Sequence, residues 1–123
     1  MRLTAVRASS AAFWSLMGRW RIPDAEALDL IEFPGKLGKS GKRPRFRLIT
    51  RQQRLLAALL EIEAALTAIG RDATWVHKPI RTAPFLGRSP LSYMIEGKEP
   101  AIAEVLRDLT RAGLRASLDQ PPP

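Results

Sequence analysis

The sequence contains no cysteine, which removes disulfides, thiolate zinc sites and a cysteine nucleophile at one stroke. A single histidine, His77, is present. No second imidazole or thiolate can complete a metal site with it, and Lys78 and Arg81 beside it repel a cation. No apolar run approaches the roughly 18 residues needed to cross a bilayer. Alternating apolar and polar runs of the kind that make strands are scarce. Acids are missing from Met1 to Ile22, a feature of targeting segments, but Arg7, Ser9 and Ser10 interrupt the apolar stretch and no small-x-small cleavage site follows. The expectation is a soluble, cytoplasmic, all-α protein of 123 residues, large enough to bury a core.

The apolar residues that are present fall at helical spacing. Phe13, Leu16, Met17 and Trp20 share one face of a first helix, which Pro23 terminates. Asp24 is placed to cap a second helix reaching Phe33, before Pro34-Gly35. A third, the longest, starts with Thr50 and Gln53 as a capping box and repeats Leu55, Leu59, Ile62, Leu66 and Ile69. At about 20 residues it spans roughly 30 Å, and Gly70 ends it. A short helix covers Ala73 to His77. Ser89-Pro90 starts the next helix and Gly97 stops it; Glu99-Pro100 starts the last, with Ile102, Val105, Leu106 and Leu109 on one face and Gly113 as its end. The remainder, LRASLDQPPP, reads as a proline-stiffened tail.

The net charge of +8 is concentrated in one place. Lys36, Lys39, Lys42, Arg43, Arg45, Arg47, Arg51 and Arg54 lie between Phe33 and Leu60 without an acid among them. Glycine, lysine, arginine and proline dominate 35–47, so a flexible basic loop is expected there. Its excess charge suits phosphate, with Lys42, Arg43, Arg45, Arg47 and Arg51 as candidate nucleic-acid contacts; a solvated loop that only confers solubility fits the same residues. The run GKLGKSGK has the composition of a phosphate loop but lacks its spacing and a preceding strand. Glu61 and Glu63 are two apart on a helix and point to different faces. With no catalytic constellation visible, the chain reads as a non-enzyme that contacts other macromolecules and needs no cofactor.

From Trp75 to Gly113 the order Trp75, Pro79, Phe85, Gly87, Arg88, Ser89, Pro90, Leu91, Met94, Gly97 and Arg111 resembles the toxin-binding domain of the Xre/MbcA/ParS antitoxin family, in its ParS form. The upstream stretch FWSLMGRWRIPDAEALDLIE is similar to the opening helices of that family's helix-turn-helix part. Ile80, Leu86 and Ala112 stand where the family has asparagine, glycine and glycine. Where the family places its recognition helix, this chain has PGKLGKSGKRPRFR.

The resemblance implies a helical bundle in two parts: residues 1–70, helix-turn-helix-like with the basic loop 35–47, and residues 71–123, toxin-binding with the tail. It implies an antitoxin whose partner is a RES-domain toxin, an enzyme that consumes NAD or transfers its ADP-ribose, with the antitoxin occluding the cleft. It implies repression of its own operator DNA, and a homodimer within a toxin–antitoxin hetero-oligomer, for which Trp14 and Trp20 supply surplus apolar surface. Arg81, Phe85, Arg88, Tyr93, Met94, Arg107, Arg111, Leu114, Arg115, Leu118, Asp119 and Gln120 are the expected toxin contacts. Phe85, Leu91 and Met94 serve equally as intramolecular core. A stand-alone DNA-binding module or transcriptional regulator remains the alternative.

Overall fold

A computed structural model describes residues 9–35 and 41–119. It is all-helical, with α1 (Ser10–Arg19), α2 (Asp24–Leu30), α3 (Thr50–Ala68), a 3-10 helix (Ala73–His77) and α4 (Pro90–Asp119). Among the described residues β-structure is limited to two isolated bridges, Ser9 with Arg47 and Ile80 with Arg88. The chain divides into two compact units, Met1–Ala57 and Ala58–Pro123; α3 gives its residues up to 57 to the first and the rest to the second.

In the first unit Ser9 caps α1, its Oγ accepting from the Ala11 N–H at 3.3 Å. The predicted face is buried in full: Phe13, Leu16, Met17 and Trp20, with Trp14 beside them. Trp14 and Trp20 are therefore spent inside the chain, and the surplus that motivated a dimer through them is absent. Arg21 takes a left-handed conformation after α1, at φ 54°, and the Ile22 N–H closes back on the Met17 carbonyl at 3.0 Å. Asp24 does not cap α2. Pro23 occupies the cap position without a side-chain bond, and Asp24, in the first turn, instead accepts from Arg43 Nε at 3.0 Å, a place where a carboxylate also meets the positive end of the helix.

Nor does Thr50 cap α3. The buried Gln52 side chain accepts the Ile49 N–H at 3.0 Å, and Gln53 Nε2 donates to the Leu48 carbonyl at 3.0 Å. Two glutamines reach back over the start of the helix, and the hydroxyl is not needed.

In the second unit Leu59, Ile62, Leu66, Val76, Phe85, Leu91, Met94, Ala101, Ile102, Val105 and Leu109 are buried. Gly70, at φ 73°, ends α3 in the left-handed region, with the Arg71 N–H on the Leu66 carbonyl at 2.8 Å. Asp72 Oδ1 accepts the Thr74 N–H at 2.9 Å and starts the 3-10 helix; the Thr74 contacts, the side-chain bond first, hold its carboxyl below the ordinary 3.8. Ser89 caps α4 through the Ser92 N–H at 3.1 Å, as Ser89-Pro90 predicts.

The interruption near Gly97 is real and falls one residue later. Lys98 is non-helical, at φ 61° and ψ −145°, and divides α4 into arms 90–97 and 99–119. A Cβ on Gly97 would meet Ala101 Cβ at 2.5 Å, so only glycine fits against the second arm. Gly113 does not end the helix, which runs on to Asp119. Glycine inside a helix costs about 1 kcal/mol relative to alanine, too little to stop a segment that continues with Leu114, Arg115 and Ala116.

Candidate interaction surfaces

The extension of α4 changes the form of the expected tail. Arg107, Arg111, Leu114, Arg115 and Leu118 are all exposed, Leu114 to 61% and Leu118 to 82%. At 3.6 residues per turn they fall within an arc of about 100°. Ile102, Val105 and Leu109, which are buried, lie on the opposite side of the same helix. Two leucines that point away from their own unit's core cannot be completing it. They form, with arginines at every fourth position, one continuous cationic and apolar face. Asp119 ends the helix; its side chain, Gln120 and the prolines 121–123 lie outside the described residues.

The turn before α4 sorts the remaining expected contacts. Ile80 and Arg88 bridge, the Gly87 N–H donates to the Ile80 carbonyl at 2.7 Å, and the Phe85 and Leu86 N–H groups both donate to the Thr82 carbonyl. Phe85, 2% exposed, sits between Trp75 and Tyr93, edge-to-face with ring centroids at 5.9 and 5.4 Å. Met94 is wholly buried and Leu91 nearly so. Phe85 and Met94 therefore belong to the interior, the second of the two roles open to them, and offer no contact surface. Arg81 is exposed. At the tip Leu86 is 75% exposed and left-handed at φ 52°; its exposure has no sequence signal beyond a leucine beside a glycine.

An open cleft of about 410 Å³ lies at the break in α4, lined by Arg88, Tyr93, Glu96, Gly97, Pro100, Ala101, Glu104 and Arg107. Arg88 forks onto the Glu96 carboxylate, with Nη1 to Oε1 at 3.2 Å. The Tyr93 hydroxyl donates to Glu104 across the break. Glu96 and Glu104 thus line the cleft without a signal in the sequence: the Tyr93–Glu104 pair, eleven apart, forms only because the helix breaks at Lys98, and the Arg88–Glu96 pair joins the turn to the first arm of α4. The hydrogen bond to Glu104, then lost solvent, then the Glu104 charge raise Tyr93 above its ordinary 10.0, while Arg88 and Arg107 oppose them. A raised folded value means that the bond contributes fully below the unfolded value and is lost as pH climbs through the folded one. Because Tyr93 is the sole tyrosine, ultraviolet titration of tyrosinate reads it alone. Its midpoint should lie above 10.0 and fall back toward that value in Glu104→Ala; equal midpoints would show that Glu104 does not hold the hydroxyl.

In the first unit residues 41–47 are not the free loop that their composition predicts. The Ser10 N–H donates to the Phe46 carbonyl at 3.0 Å, the Phe46 N–H to Ser10 Oγ at 3.1 Å, and Trp14 Nε1 to the Pro44 carbonyl at 2.9 Å. Phe46 packs between Phe13 and Phe33, with centroids at 6.1 and 4.8 Å. The result is an extended strap beside an open groove of about 840 Å³, lined by Ser9, Ser10, Ala11, Trp14, Arg43, Arg45, Phe46 and Arg47. Arg43 lies over the Trp14 ring at 5.0 Å and pairs with Asp24; Arg51 forks onto Glu32 at 3.1 and 2.9 Å. Lys42 is exposed. Among the described residues no ion pair engages Arg45 or Arg47.

Among the described residues no group of three His, Cys, Asp or Glu side chains could hold a metal, and no helix is long and apolar enough to cross a membrane. Comparison with protein-family models, with curated proteins and with solved structures finds no match.

Proposed function

We propose that the protein is an antitoxin that binds a RES-domain enzyme acting on NAD and blocks its cleft with the outer face of α4. The observation that carries this is the exposed row Arg107, Arg111, Leu114, Arg115 and Leu118, directed away from the core. The resemblance of Trp75 to Gly113 to a toxin-binding domain names the partner class. An NAD cleft needs an apolar wall for the rings of its substrate and a carboxylate for its chemistry; Leu114 and Leu118 match the first, and a fork from Arg111 or Arg115 matches the second. A helix is already ordered, so less freedom is lost on docking than by an unstructured tail.

The test is direct. A RES-domain enzyme encoded beside this chain is assayed for NAD consumption with increasing amounts of the purified protein. Turnover should fall to zero at a fixed molar ratio, with the two chains co-eluting in size-exclusion chromatography. Undiminished turnover with an excess of the folded chain would overturn the reading.

A further inference from the structure

The first unit carries charge for which the inhibitor role has no use. We propose that the strap 41–47 is a docking surface for the phosphate backbone of a nucleic-acid duplex, binding without regard to base sequence. Arg45 and Arg47 flank Phe46, whose ring is turned inward against Phe13 and Phe33. In an extended segment alternate side chains leave on the same side, about 6.6 Å apart, so both guanidiniums face solvent together, as their exposure shows. The strap is anchored to α1 before any ligand arrives, which lowers the ordering cost of binding.

Among the described residues of this unit, base readout has little equipment. The Trp14 ring is covered by Arg43 and its N–H is given to Pro44, so the largest ring beside the strap is not free to stack on a base. The helix that precedes the strap, α2, has seven residues and carries Asp24, Glu26 and Asp29, charges that phosphates repel, so it is no substitute for a groove-reading helix. What is left is positive charge in a segment without an acid from Pro34 to Leu59, complementary to a polyanion and blind to its sequence.

Fluorescence anisotropy with two labelled DNA duplexes of about twenty base pairs and unrelated sequence, over a salt series, tests this. Each phosphate contact contributes roughly 0.9 to the slope of log affinity against log salt. Both duplexes should bind alike, and the double variant Arg45→Ala/Arg47→Ala should flatten the slope by about two. Arg45→Lys/Arg47→Lys, which keeps the charge, should retain the parent slope. Arg111→Ala/Arg115→Ala, on the other unit, should leave the slope unchanged. An unaltered slope in the alanine double variant, a preference of more than about tenfold for one sequence, or tighter binding to phosphatidylserine vesicles than to either duplex overturns the proposal. None of these outcomes depends on whether the chain inhibits an NAD-consuming enzyme.

Discussion

Replacing Phe85 with alanine is expected to cost the second unit about 3–5 kcal/mol, a large share of the 5–15 kcal/mol that a domain ordinarily has. Phe85 is 2% exposed and makes two edge-to-face contacts, with Trp75 and Tyr93. Alanine leaves a cavity that the turn cannot collapse into, because Ile80 and Arg88 are bridged on either side of it. Urea denaturation followed by tryptophan fluorescence measures the loss, since Trp75 reports on the ring it faces. The neighbouring position should behave in the opposite sense. Leu86 is largely exposed and left-handed, so Leu86→Gly relieves backbone strain and should leave stability unchanged or slightly higher. A small effect at Phe85 would mean that its ring is not part of the core, and would return it to the list of partner contacts.

That pair of neighbours shows what could be read in advance. The turn itself was legible, because Gly87, Ser89 and Pro90 each dictate a local geometry. Which of Phe85, Leu91 and Met94 faces inward was not, because a loop has no periodicity to assign faces. Helices α1 and α3 were legible from spacing alone. Their caps were less so: Ser9, Gln52 and Gln53 act through bonds that depend on where the helix begins, and a shift of one residue changes which side chain reaches which N–H. In α4 the interruption expected near Gly97 is present, whereas the end expected at Gly113 is not. The two glycines look alike in sequence; they differ because Gly97 must clear Ala101, whereas a Cβ on Gly113 would meet Ile69 Cγ2 at 3.5 Å, an ordinary contact.

The basic segment is held where its composition predicts a free loop. Its glycines and lysines suggested a chain with nothing to hold it, yet RFRL alternates charged and apolar residues, the signature of a short extended run with one inward face. Phe46 and Leu48 are that face. The three bonds to α1 span 30 to 36 residues in sequence, and no local pattern encodes a partner so far away.

Substituting Leu114→Glu together with Leu118→Glu should abolish inhibition of the NAD-consuming enzyme while leaving the protein folded. Burying one leucine in a partner is worth about 1.5–3 kcal/mol, so losing both weakens the complex by roughly 10²- to 10⁴-fold, before any cost of placing two carboxylates against an apolar wall. Deleting 112–123 should match or exceed this, since it removes Arg115 as well. Folding is insulated from both changes because no described side chain after Leu109 is fully buried, and far-ultraviolet circular dichroism should show only the lost turns in the deletion. The same two leucines on a disordered tail would bind more weakly but in any register, and single substitutions would be partly absorbed. On a helix their register is fixed, and moving the pair by one residue turns it about 100° from the partner. Inserting one alanine after Gly113 separates the alternatives: it keeps every side chain and every charge, and it should disable a helical face almost as thoroughly as the two glutamates. If the deletion still inhibits in full, the face of α4 is not what closes the cleft.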